Sequence, residues 1–192
     1  KVFIGMRSIQ SSALLQDTTP NVDDYKTNAY ELKYTYEKRT PQNLLFPLSS
    51  ALELRLSRSK RKTTNTITNQ TLYKLDAAKI INLNRKNSIY IKLQLQGIDS
   101  ETYLQNELIR FGGINSIRGF EENSITASRL GVLSSEYRYQ LSSNLYVHSV
   151  IDAGYFETPA QPDQKLYGFG FGFGLLTDAG LLRFNLANGQ VE

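Results

Sequence analysis

Ser88-Ile89-Tyr90-Ile91-Lys92-Leu93-Gln94-Leu95-Gln96-Gly97 alternates almost without a break. Ile89, Ile91, Leu93 and Leu95 fall on one parity, and Lys92, Gln94 and Gln96 on the other. A helix would scatter these residues around its axis. A strand sorts them onto two faces, because successive side chains point opposite ways. The stretch therefore reads as a strand with one apolar and one polar face.

The same period of two recurs on both sides of it. In Tyr30-Glu31-Leu32-Lys33-Tyr34-Thr35-Tyr36-Glu37, Tyr and Leu oppose Glu, Lys and Thr. Leu52, Leu54 and Leu56 oppose Glu53, Arg55 and Ser57 in a strand predicted from about Leu44 to Ser59. Further strands are predicted over Lys1 to Leu15, Thr71 to Asn82, Ser128 to Leu141 and Leu145 to Phe156. From Lys165 to Leu176, Tyr167, Phe169, Phe171 and Phe173 back onto Gly168, Gly170, Gly172 and Gly174. Past the turn at Thr177-Asp178-Ala179-Gly180, Leu182, Phe184 and Leu186 oppose Arg183, Asn185 and Ala187. Short turns at 40–43, 84–87 and 142–144 alternate with polar connections at 16–25, 60–70, 107–126 and 159–164.

About nine strands result, many of about 10–14 residues, against a usual length of about 5–6. Long alternating strands with a short-turn, long-loop rhythm predict an all-β fold, an antiparallel transmembrane β-barrel. Its apolar parity faces lipid and its charged parity an aqueous lumen. An odd number of strands does not close an ordinary bacterial barrel. The expectation is that 1–192 forms one partial barrel domain, its C-terminal part, with the final strand and several N-terminal strands supplied elsewhere. Gly189-Gln190-Val191-Glu192 reads as a polar loop.

Composition narrows the alternatives. The 192 residues are 40% hydrophobic and 21% charged, with no Cys, which excludes a disulfide scaffold and thiol chemistry. No apolar run approaches the ~18–20 residues of a spanning helix. The net charge of +4 is spread over alternating strands, without nucleic-acid-binding spacing, so no nucleic-acid partner is expected. No metal spacing, cofactor motif or base beside a nucleophile is present, so no catalysis is expected. The single His, His148, reads as a lumenal polar residue. One dense basic cluster, Arg58-Ser59-Lys60-Arg61-Lys62, lies at the predicted extracellular end of its strand. Its expected role is contact between Lys60, Arg61 and Lys62 and lipopolysaccharide phosphates, weighed against a plain solvated loop.

The connection at 107–126 carries the most specific signal. Gly112-Gly113-Ile114-Asn115-Ser116-Ile117-Arg118-Gly119-Phe120 sets one arginine in a glycine-rich setting. Glycines let the backbone bend tightly and approach another surface. A guanidinium out of water needs acidic partners, and Glu136 and Asp152 are the candidates. Glu136 shares its parity with Ser134, Arg138 and Gln140; Asp152 shares its own with His148 and Gly154. Both carboxylates are therefore expected to point inward.

The Gly-Gly-x-x-Ser-Ile-Arg-Gly-Phe loop resembles the Arg-Gly-Phe/Tyr motif of the outer-membrane assembly and secretion superfamily of the BamA/TamA type. Val150-Ile151-Asp152-Ala153-Gly154 is similar to a second motif of that superfamily, x-Asp-x-Gly, with Val150 departing from the usual Phe or Gly. Gly172 to Leu186 is similar to its penultimate hairpin. The resemblance implies a bacterial outer-membrane barrel of about sixteen strands, preceded by periplasmic domains. This chain would run from about the seventh strand to the fifteenth, with 107–126 as the sixth extracellular loop. It also implies that Arg118 folds into the lumen onto Glu136 and Asp152, with Gly113, Gly119, Phe120 and Gly154 completing the lock.

The function implied first is an insertase that assists the assembly of outer-membrane proteins. Its partners would be unfolded outer-membrane polypeptides, lipid and lipopolysaccharide, and periplasmic accessory proteins. The alternatives are a two-partner secretion transporter and the barrel anchor of a patatin-like lipase. A plain diffusion porin is disfavoured by the Arg118 loop.

Overall fold

A computed structural model describes residues 1–11, 24–40, 43–160 and 164–192. Most of the predicted connection at 16–25, the centre of the turn at 40–43 and residues 161–163 lie outside the described residues.

The chain forms β1 (Val2–Ser11), β2 (Tyr25–Arg39), β3 (Leu48–Lys62), β4 (Ile67–Asn82) and β5 (Asn87–Ser100). A 3-10 turn (Gln105–Glu107), two short strands, β6 (Ile109–Phe111) and β7 (Ile125–Ala127), then β8 (Arg129–Gln140), β9 (Leu145–Glu157), β10 (Gln164–Thr177) and β11 (Gly180–Val191) follow. Nine strands make one sheet in the order β1-β2-β3-β4-β5-β8-β9-β10-β11, while β6 and β7 pair as a separate ribbon. Every neighbour is antiparallel. Sequence order equals sheet order, the up-and-down meander that barrels use.

Alternation decides the faces as the sequence requires. Leu32, Leu54, Leu56, Leu133, Ile151, Phe171 and Leu186 are all exposed on the outer face. Ser57, Ser59, Ser134, Glu136, Arg138, His148 and Asp152 are buried on the inner one. An apolar outside and a polar inside reverse the water-soluble pattern and suit a sheet bathed in lipid.

Three expectations are corrected. β3 starts at Leu48 rather than near Leu44 and continues to Lys62. The 60–70 connection thus shrinks to a tight turn closed by Thr63 N donating to the Thr66 carbonyl at 2.9 Å. Lys60, Arg61 and Lys62 alternate like any strand, which polar composition had disguised as a loop. The C-terminal Gly189-Gln190-Val191 is also strand, paired with Gly168, Tyr167 and Leu166. Finally, the inner face is not uniformly polar. Leu130, Val132 and Leu166 point inward and form a core with Ile98, Ile109, Phe111, Ile117, Ala127 and Phe156. The long loop brings Ile109, Phe111 and Ile117 to cover them, so these inward positions meet protein rather than water.

At the opposite end, the segment before β3 also turns inward. Leu45 and Phe46 are buried against Tyr146, with Ile80 and Leu176 beside them. The Phe46 ring meets Tyr146 edge-on at 4.7 Å, and the Arg138 guanidinium lies 4.9 Å from the Phe46 ring.

Candidate functional site

The loop from 101 to 128 starts earlier than predicted and is built, not slack. Gly112 and Gly113 adopt φ of 115° and 90°, and Gly119 φ of 94°, a region open chiefly to glycine. Gly113 N donates to the Ile117 carbonyl at 3.1 Å, and Ser116 N to the Gly113 carbonyl at 3.2 Å. This compact turn carries Ile117 into the inner core, where it is fully buried, and delivers Arg118 to the wall beside it.

Arg118 meets both carboxylates. Its backbone N–H and Nε donate to Asp152 Oδ2 at 2.9 and 2.8 Å, and Nη2 donates to Oδ1 at 2.5 Å. Nη1 donates to Glu136 Oε1. Glu136 also accepts from Arg138 through Oε2 at 2.7 Å and from Arg183 through Oε1 at 3.0 Å. Arg118 is 6% exposed, Glu136 2% and Asp152 1%, so water screens these contacts little. Burial by itself lowers the pKa of the Arg118 guanidinium, but the bond to Asp152 and the charges of Asp152 and Glu136 outweigh it and raise the value. Arg118 is a permanent cation there.

Glycines make the room. A Cβ at Gly168 would strike the Arg118 carbonyl oxygen, and one at Gly119 would strike the β11 backbone at Asn188 and Gly189. A Cβ at Gly189 would stand 2.6 Å from the Phe120 ring, and one at Gly154 would touch Ile117. The predicted set Gly113, Arg118, Gly119, Phe120, Glu136, Asp152 and Gly154 is therefore one contiguous structure. Lys92 Nζ adds a bond to the Asn115 carbonyl at 2.8 Å.

The sequence reading missed two groups. Arg138 and Arg183 share Glu136; their inward parity was legible, but only register and the inward curvature of the sheet bring Arg183 on β11 to Glu136 on β8, across the two strands between them. The second group fastens the other limb of the loop. Arg61 pairs with Glu107 and donates to Thr102 Oγ1 at 2.5 Å. Gln70 Nε2 donates to Glu107 Oε2 at 2.9 Å. Arg61 is 1% exposed and faces the lumen, so its expected contact with lipopolysaccharide is corrected. Lys60 and Lys62, of opposite parity, remain exposed on the outer face.

Residues 1–175 match the family model described as haemolysin secretion/activation protein ShlB/FhaC/HecB. The chain belongs to this family. ShlB/FhaC/HecB proteins are bacterial outer-membrane β-barrels that move client polypeptides across that membrane. The nine-stranded sheet is accordingly barrel wall, its exposed apolar face is the lipid face, and the Arg118 loop lies in the lumen. The match falls on the secretion/activation branch rather than the BamA/TamA type named by the motif resemblance. The superfamily thus holds, and the secretion alternative fits better than the insertase reading. Comparison with curated proteins gives no match.

Proposed function

We propose that this chain supplies the loop-bearing wall of a two-partner secretion transporter, which exports a dedicated client polypeptide through its lumen. The observation that carries this reading is the loop held inside the barrel by Arg118 on Asp152 and Glu136, in a chain of the secretion/activation family. The role is mechanical rather than catalytic. A guanidinium presents its donors in a rigid fork, and here the fork joins two adjacent strands, β8 and β9, to the loop. The loop is then a fixed feature of the export path, and the client threads past a wall of constant shape.

The test compares two activities of the full-length protein carrying Arg118→Ala. Client appearing outside the cell should fall by more than about tenfold, because a broken buried ion pair costs about 3–5 kcal/mol. Assembly of other outer-membrane barrels should not change. The reverse outcome, secretion intact and barrel assembly lost, establishes the insertase reading instead.

A further inference from the structure

Correcting Arg61 leaves a different set of cations at the same end of the sheet. Lys62 lies directly opposite Lys26 across β2–β3, Lys60 opposite Asn28, and Arg58 opposite Tyr30. Directly paired residues share a face, and Lys26, Arg58, Lys60 and Lys62 are all exposed on the outer one. None of the four forms an ion pair among the described residues. Asp24, of Lys26's parity, is exposed and has a bonding partner of its own; among the described residues, the patch sets four cations against this one carboxylate. At the same end, by contrast, Arg129 pairs with Asp99 at 2.5 Å and Glu157 at 3.5 Å.

Like charges directly opposite in a sheet repel, and nothing in the inner packing requires Lys26 and Lys62 to be cations. An anion on the outer surface converts that repulsion into attraction. The place of the patch says which anion. Leu54, Leu56, Leu32 and Tyr34 form the exposed apolar surface next to it. At about 3.4 Å per residue and a tilt of about 45°, Arg58 and Lys60 stand about 5–10 Å above Leu56. That is the step from acyl chains to headgroups. The occupant must present hydrocarbon below and phosphate above, on one molecule.

We infer that Lys26, Arg58, Lys60 and Lys62 form a site for the phosphorylated headgroup of an outer-leaflet glycolipid, with its acyl chains on the Leu54–Leu56 surface. Two lysines and an arginine on one strand at alternate positions bracket a phosphate from several heights. The site lies on the outside of the wall whose inside holds Arg61 and Glu107, so a bound lipid stiffens the strands that anchor the loop.

The test uses the full-length protein in detergent and lipid A carrying both phosphates. Wild-type protein should bind it at least about tenfold more tightly than the fourfold variant Lys26→Gln, Arg58→Gln, Lys60→Gln, Lys62→Gln, since each cation near a charged lipid surface contributes measurably. Dephosphorylated lipid A should bind wild type as weakly as the variant binds the bisphosphate. If the fourfold variant does not fold, Lys60→Gln with Lys62→Gln carries the same comparison. Equal binding by wild type and variant, or by both forms of lipid A, overturns the site. Inorganic phosphate binding as tightly as lipid A overturns the lipid assignment and leaves a free-anion site.

Discussion

The Arg118 carbonyl oxygen lies 2.2 Å from where a Cβ at Gly168 would stand. The loop and β10 are therefore in contact through backbone on one side and nothing but hydrogen on the other. The lock combines an ion pair on β8 and β9 with an absence of side chain on β10.

Gly168→Ala should push the loop from the wall although every charge remains. Overpacking costs about 1–3 kcal/mol, and β10 keeps its pairing with β9 and β11. Heat-modifiable migration should stay that of a folded barrel, while protease cutting between 112 and 120 rises. A protected loop in this variant counts against close packing at 168.

Arg118→Lys separates charge from shape. Lysine keeps the cation but cannot donate to Asp152 through two nitrogens and to Glu136 through a third at once. Its client secretion should resemble that of Arg118→Ala more than wild type. Secretion at the wild-type level would mean that charge alone suffices.

Arg61→Ala tests the second anchor separately. It leaves Glu107 buried without its cation, at a cost of about 3–5 kcal/mol. Amide exchange should accelerate at 102–108 and stay slow at 117–119. The exchange Arg61→Glu with Glu107→Arg should restore protection in part, which a purely steric role for Arg61 would not permit.

Phe46→Ala addresses the other end of the lumen. It removes the ring that meets Tyr146 and Arg138, at about 3–5 kcal/mol for a buried aromatic. Single-channel conductance should rise while loop protection at 117–119 is unchanged. Unaltered conductance would show that Phe46 does not narrow the passage.

The period of two across Ser88–Gly97 and its neighbours determined the strands, their faces and the inward aim of Glu136 and Asp152. That information is local, because a strand's alternation follows from its backbone alone. The loop motif likewise marked Arg118, through glycines and a lone cation legible in nine consecutive residues. Composition misled at 60–62 and 189–191, where charged or small polar residues resemble loop until a neighbouring strand pairs with them.

Only the tertiary structure decided which inward groups meet. Arg61 and Glu107 are 46 residues apart, and Arg183 and Glu136 47 apart, distances over which no periodicity carries information. Register and sheet curvature bring them together. The same holds for Leu130, Val132 and Leu166: their parity was visible in the chain, but whether they met water or protein depended on where the long loop came to rest. Alternation along a backbone is written residue by residue, whereas contact across a lumen exists only once the wall has curved.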